Sequence, residues 1–346
     1  MEQGPIVADR FPCAMNETHP LDISVIICTY NRCESLRRTL QTLCGLEIPR
    51  DVTWELLLVD NNSQDATRQV CASFTSSLPI RYVFETRQGQ NNALNRSIEE
   101  AGGGLLLFTD DDVDVDSRWL AGFLDAARRR PDVSFFGGKV VPRWEAAPPR
   151  WLSENCDTLL RHVSTAFEMG EDEMFVGPSD CVFYGANLAI RQNALSGKMK
   201  FRPDLGPCGE GQVRGGETAL LREMLAAGLK GLYVPATMVH HRNPLSRMTE
   251  QYVRAYYHGA GVTQVRLEPA GNGQRTLFGA PRYLWWKLIK HAVQYAAFRR
   301  TRPSRIWLRA EIEMATAWGR ITELRRLRKQ PVNPALHEAP VQHAEV

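Results

Sequence analysis

From Ile23 onward the chain alternates short apolar runs with segments whose apolar residues recur every three or four positions. Ile23–Cys28 is apolar and β-rich and stops at Thr29-Tyr30-Asn31-Arg32. Leu36, Leu40 and Leu43 then share one helical face, which Gly45 ends; Asn31 reads as the cap of that helix, with Glu34 as its capping-box partner. Trp54–Val59 predicts a second buried strand ending in Asp60-Asn61-Asn62-Ser63. A helix over Asp65–Phe74, a strand over Ile80–Phe84 and a helix over Asn91–Ala101 follow. The next run, Leu105–Phe108, leaves Gly102-Gly103-Gly104 and enters Thr109-Asp110-Asp111-Asp112; after it come a helix over Trp119–Arg130 and a strand over Val133–Phe136. Continuous apolar strands this short belong to a sheet covered on both faces. Their alternation with helices predicts βαβ units, an α/β fold with a mostly parallel sheet.

In open α/β sheets, ligands bind beyond the carboxyl ends of the strands. Three strands here end in polar clusters, two of them bearing carboxylates, which points to a ligand site at that edge. Asp110, Asp111 and Asp112 would repel one another at the end of a buried strand, and a hard divalent cation relieves such repulsion. A solvated acidic turn is the alternative. Neither GxGxxG nor GxxxxGK[ST] follows the first strand, which argues against a dinucleotide cofactor and ordinary ATP hydrolysis. An EF-hand loop is also excluded: counting from Asp110, Val115 stands at the turn glycine and Ala121 at the bidentate glutamate. What remains is a metal held by a few carboxylates and shared with a diphosphate.

The order Thr29-Tyr30-Asn31-Arg32, Val59-Asp60-Asn61-Asn62-Ser63, Gly89-x-x-x-Ala93-x-Asn95 and Phe108-Thr109-Asp110-Asp111-Asp112 resembles family 2 glycosyltransferases of the GT-A fold. The similarity runs on through Gly185-Ala186-Asn187, Asp204-Leu205-Gly206 and Gly215-Gly216-Glu217-Thr218, spanning roughly Asp22 to Gly261. Each motif is weak alone; the ordered set is specific. The resemblance implies inverting sugar transfer from a nucleotide-diphosphosugar, with a UDP-sugar the first expectation, to a hydroxyl of a glycan or glycolipid. By resemblance, Thr29, Tyr30, Arg32 and Asp60 hold the base and ribose, Asp110 and Asp111 flank the ribose and diphosphate, and Asp112 binds Mg2+ or Mn2+. Asn95 lines the donor pocket; Leu94 replaces an arginine frequent in the family, a contact that Arg87 or Arg96 would have to supply. Glu217 takes the position of the general base, although an acid in the first turn of a helix is also favoured by the macrodipole. Of His240 and His241, at the end of a strand read over Tyr233–Val239, only one can face inward; His241 is favoured as a metal ligand, with a solvated pair as the alternative. Gln251-Tyr252-Val253-Arg254 is followed by Ala255, so the QxxRW signature of processive members is not met. Rival readings are a polyprenyl-phosphate sugar synthase and a non-catalytic nucleotide-sugar-binding subunit.

Composition adds the organisation around this domain. Of 346 residues, 43% are hydrophobic and 23% charged, which is ordinary for a globular protein. The net charge of +3 hides an asymmetry: Pro281–Gln330 carries 13 Lys/Arg against 3 Glu, the rest 29 against 36 acids. Eight scattered cysteines without a CxxC pair suggest reduced thiols, hence a cytoplasmic protein, and no secretory leader or membrane span is expected. The expected divisions are an arm over 1–21, a catalytic domain over 22–265 with nucleotide-sugar (22–140) and acceptor (141–265) halves, a basic helical region over 266–330 and a tail over 331–346. Trp144–Trp151 reads as an acceptor loop or as core wall, and Phe201–Gly216 as a loop able to order over bound donor. Two basic amphipathic helices over 283–329 suit either the inner face of an anionic membrane or packing on the body. No recognition motif accompanies the basic residues, so nucleic acid is not an expected partner.

Overall fold

The computed structural model describes residues 20–177, 180, 183–195, 197, 199–208, 212–268 and 275–329. The expected tail over 331–346 and residues 1–19 of the expected arm over 1–21 lie outside them, while Leu21 already belongs to the first strand. The chain forms two compact units divided between Val253 and Arg254.

In the first unit, strand β1 (Leu21–Thr29), helix α1 (Cys33–Leu43), β2 (Trp54–Asp60), α2 (Thr67–Ser73), β3 (Ile80–Phe84), α3 (Gln90–Glu100) and β4 (Gly103–Asp110) follow the predicted alternation. After them come β5 (Val113–Val115), α4 (Trp119–Arg129), β6 (Phe135–Trp144), the short turns α5 (Arg150–Ser153) and α6 (Arg161–Ser164), β7 (Met174–Val176), β8 (Leu188–Arg191), α7 (Gly216–Ala226) and β9 (Gly231–Asn243). One mixed sheet runs β3-β2-β1-β4-β8-β6-β9-β5, with β7 on β9. Strands β1 to β4 are mutually parallel, β8 runs against β4 and β6, and β6 and β9 are again parallel. Ile23, Val25, Ile26, Leu56, Leu57, Leu58, Leu106 and Leu107 are fully buried, as the unbroken apolar runs required. Each such side chain contributes about 1.5–3 kcal/mol of burial.

Two local expectations are corrected. The predicted capping box does not form: the residue before α1 is Arg32, and no side chain from its own turn caps the helix. Instead Asp65 Oδ2 accepts the Cys33 N–H at 3.0 Å, while Asn31, at φ 51°, accepts the Gln64 N–H on its Oδ1. A tertiary carboxylate has displaced the local cap, tying the loop after β1 to the loop after β2. Strands β6 and β9 also run well past their predicted ends, because each pairs with the other over Lys139–Trp144 and Met238–Asn243. His240 and His241 are therefore inside a strand, and Trp144 closes another.

The second unit contains most of α8 (Glu250–Leu267), the hairpin β10 (Thr276–Leu277) and β11 (Ala280–Pro281), α9 (Arg282–Phe298) and α10 (Ser304–Lys329). A Cβ on Gly261 would meet the Thr316 carbonyl and one on Gly319 the His258 carbonyl, so α8 and α10 pack backbone to backbone. Arg254 and Glu311 add an ion pair at 2.6 Å between the same helices. Among the described residues, no helix is long and apolar enough to cross a membrane. The described cysteines (28, 33, 44, 71, 156 and 208) are free thiols.

Candidate active site

The parallel register brings the three polar strand ends together. Thr29 lies beside Asp60 and Cys28 beside Asp110. Asp60 is buried and doubly held: Oδ1 accepts the Ser63 N–H at 2.9 Å and Oδ2 the Tyr82 hydroxyl at 2.7 Å. Tyr30 stands half-buried at the mouth of the same edge.

The aspartates divide where β4 ends, since Asp111 and Asp112 stand in the turn that follows it. Asp110 and Asp112 can each place an oxygen with a His241 ring nitrogen inside a cluster only 4.8 Å across. Asp111 accepts the Thr29 hydroxyl at 2.7 Å and the Arg32 guanidinium at 2.6 Å, and the same guanidinium reaches Asp112 Oδ2 at 2.7 Å. His241 reaches the cluster because β5 reverses directly after Asp112 and pairs Val113 with His241. Its Nε2 lies 3.2 Å from Asp112 Oδ1, while its neighbour His240 pairs with Asp114 instead.

The electrostatics suit a cation. Burial, then the charges of Asp112, Glu217 and Asp111, push Asp110 up to about 8; burial pushes Asp111 up to about 6, against Arg32. Burial would raise Asp112 as well, but the His241 ring, Arg32 and Arg247 together hold it well below the usual carboxylate range. Burial also lowers His241 to about 4, so its imidazole is neutral at physiological pH and has a lone pair to give. Two hard carboxylates, a neutral imidazole and unrelieved repulsion around Asp110 form a donor set that fits a divalent cation such as Mn2+ or Mg2+.

Glu217 lies in the first turn of α7 and lines one pocket with Asp110, Thr109, Gly185, Leu188 and Phe201. Burial raises its pKa, against its own backbone N–H and Arg214. The pocket walls are fixed by amide clamps. Asn187 is fully buried, accepting the Trp119 indole N–H and donating to the Lys139 and Thr237 carbonyls; Thr109 donates to the Ala186 carbonyl at 2.9 Å. Asn95 is turned to the Phe201 backbone, which it binds at both N–H and C=O, so it shapes the pocket through Phe201. Arg87 pairs with Glu85 and Arg96 with Glu100; neither guanidinium lines the pocket. Of the Trp144–Trp151 segment, both tryptophans are half-buried, outside the pocket lining.

Three residues that pattern reading did not single out matter here. Arg247 binds Asp112 Oδ2 at 3.0 Å, and no periodicity marks it, since it sits in a single turn after Pro244. Arg242 is buried where strand alternation alone would turn it away from His241's side. It donates to the Ser35 and Asp111 carbonyls and to Thr39, bolting the turn after β4 to α1. Asn91 donates to the Arg202 and Leu205 carbonyls, anchoring the loop before α7.

Comparison with known proteins agrees with this architecture. The chain is 27% identical over 256 residues to the succinoglycan biosynthesis protein ExoM of Rhizobium meliloti, covering 73% of this chain and 76% of the relative. The fold matches the mannosyltransferase PcManGT of Pyrobaculum calidifontis, solved with GDP-Man and Mn2+, at a TM-score of 0.58, 17% identity and 90% and 88% coverage of the two chains. It also matches S. aureus TarS 1-349 in complex with UDP-GlcNAc, at a TM-score of 0.52, 13% identity and 89% and 92% coverage. The family model "Glycosyl transferase family 2" aligns with residues 24–196, half of the chain and the half that carries β1 to β8 with the three aspartates, so this protein belongs to glycosyltransferase family 2.

Proposed function

We propose that the protein is a metal-dependent, inverting, non-processive glycosyltransferase that moves a sugar from a nucleotide-diphosphosugar to a hydroxyl of a glycan or lipid-linked acceptor. The observation that carries this reading is the shared pocket of Asp110 and Glu217, with Asp112 and His241 beside Asp110. One pocket thus carries a carboxylate for each partner of the reaction, Asp110 toward the leaving group and Glu217 toward the nucleophile. Asp110, Asp112 and His241 would hold the cation, which when bound supplies Lewis-acid stabilisation of the departing diphosphate. Thr29, Tyr30 and Asp60 line the edge that takes the base and ribose. Arg32 and Arg247, both on Asp112 Oδ2, place fixed positive charge beside the diphosphate. Glu217 takes the acceptor hydroxyl's proton as the acceptor oxygen bonds to C1 and the C1–O bond to the diphosphate breaks. Its raised pKa makes it a stronger base than an exposed carboxylate.

The donor half is tested by thermal unfolding against a panel of nucleotide sugars with Mn2+. A UDP-sugar is expected to raise the midpoint by several degrees, and EDTA to remove the gain. A panel in which no nucleotide sugar stabilises would exclude this donor site.

Gly185 offers a subtler probe. A Cβ there would lie 2.6 Å from Glu217 Oε1, so Gly185→Ala must displace that carboxylate. Transfer should fall by about 10–100-fold, since a misplacement of ~1 Å costs on that order. Donor-induced stabilisation should persist; its loss together with activity would mean that Gly185 shapes the donor pocket instead.

A further inference from the structure

We infer that the outward face of α9, continued by the β10–β11 hairpin tip, docks on an anionic phospholipid surface. Helix α9 is apolar on two sides. Its inner side, Leu284 and Leu288, packs with Ala280 of the hairpin and with Ile321 and Leu324 of α10. On its outer side Trp286, Ile289 and Val293, at the i, i+3, i+7 spacing of one face, are 69%, 57% and 64% exposed. The hairpin tip extends the patch: Phe278 is 74% exposed, and its ring meets Trp285 with centroids 6.1 Å apart. A monomer in water has no use for a second apolar face carrying an exposed Trp and Phe.

Charge selects the occupant. The only three carboxylates between 281 and 330 are all spent on ion pairs: Glu311 on Arg254, Glu313 on Lys287, and Glu323 on Arg266 and Arg326. Among the described residues, no carboxylate pairs with Arg282, Lys290, Arg300, Arg302, Arg305 or Arg309. Arg282 and Arg300 bracket the apolar stripe at its two ends and Lys290 lies within it. A Trp-bearing apolar face flanked by unpaired cations matches the layer where acyl chains meet anionic headgroups. With no span among the described helices, the contact is one of lying on the bilayer rather than crossing it. It is independent of the sugar-transfer chemistry.

The test is co-sedimentation of the full chain with vesicles of phosphatidylcholine alone or mixed with phosphatidylglycerol. Binding is expected to the mixed vesicles only, to weaken as salt is raised, and to fall by about tenfold or more both in Trp286→Ser/Ile289→Ser/Val293→Ser and in Arg300→Glu/Arg302→Glu. No binding, or equal binding to neutral vesicles, overturns the inference. So does a dimer that the serine variant dissociates while the wild type ignores vesicles, since a second copy would then cover the face. Should circular dichroism show the serine variant unfolded, the charge-reversal variant alone decides, because Arg300 and Arg302 are exposed and outside the packed side of α9.

Discussion

Glu217→Gln is expected to lower sugar transfer by about 10²–10⁴-fold, the range that a positioned general base contributes, while making the protein more stable at neutral pH. The two effects share one cause. Burial raises the Glu217 pKa above 4.5, so the folded state favours the protonated form. Between the unfolded and the folded pKa the native protein holds more protons than the unfolded chain, and stability therefore falls as pH rises through that window. Glutamine removes this loss. The variant's unfolding midpoint should exceed the wild type's at pH 7.5, with the gap closing near pH 4, where both side chains are neutral. Donor-induced stabilisation in Mn2+ should survive, because the substitution leaves Asp110, Asp112 and His241 in place. Near-wild-type transfer would remove Glu217 from the role of base.

Asp112→Asn is expected to abolish both Mn2+-dependent donor binding and transfer, with a loss of about 10³-fold or more, as for removal of a key electrostatic stabiliser. Its stability effect carries the opposite sign. Asp112 is depressed because His241, Arg32 and Arg247 converge on it, so its ionised form stabilises the fold above the unfolded value of 3.8, and that contribution is lost as pH falls through the depressed pKa. In EDTA the variant should be less stable than wild type at pH 7. The deficit should be about 2–3 kcal/mol, below the range for a fully buried pair because the Arg32 side chain is 41% exposed and partly screened. The deficit should shrink in acid. A variant as stable as wild type at pH 7, or one that keeps its Mn2+ response, would show that Asp112 does not anchor the cluster. The two isosteric changes thus move stability in opposite directions.

Part of this site was legible in the chain. Unbroken apolar runs such as Leu56–Val59 and Leu105–Phe108 determined a covered parallel sheet, because burying both faces leaves no polar position along a strand. Polar clusters after three such runs pointed to the edge proposed here to bind the donor. Family resemblance, carried on ordered motifs, pointed to Glu217 and to His241 before any distance was known. The unpaired acid–base asymmetry of 281–330 was also on the face of the sequence.

The rest required the folded chain, for identifiable physical reasons. Three adjacent aspartates look equivalent in a string, and only the turn after β4 brings Asp110 and Asp112 together with His241 and sets Asp111 on Thr29, with Arg32 shared between Asp111 and Asp112. The cap of α1 comes from Asp65, a partner that no local capping rule can see. Asn95 reads as a pocket residue but spends its amide on Phe201, because a buried backbone segment must have its hydrogen bonds met. Arg247 carries no periodic mark and reaches Asp112 through a single turn after β9. The sequence by itself determined the strands, their polar ends and the family to which they belong. The tertiary structure decided which side chains share a cavity, since that depends on register, chain reversal and side-chain direction, none of which is written in the spacing of residues.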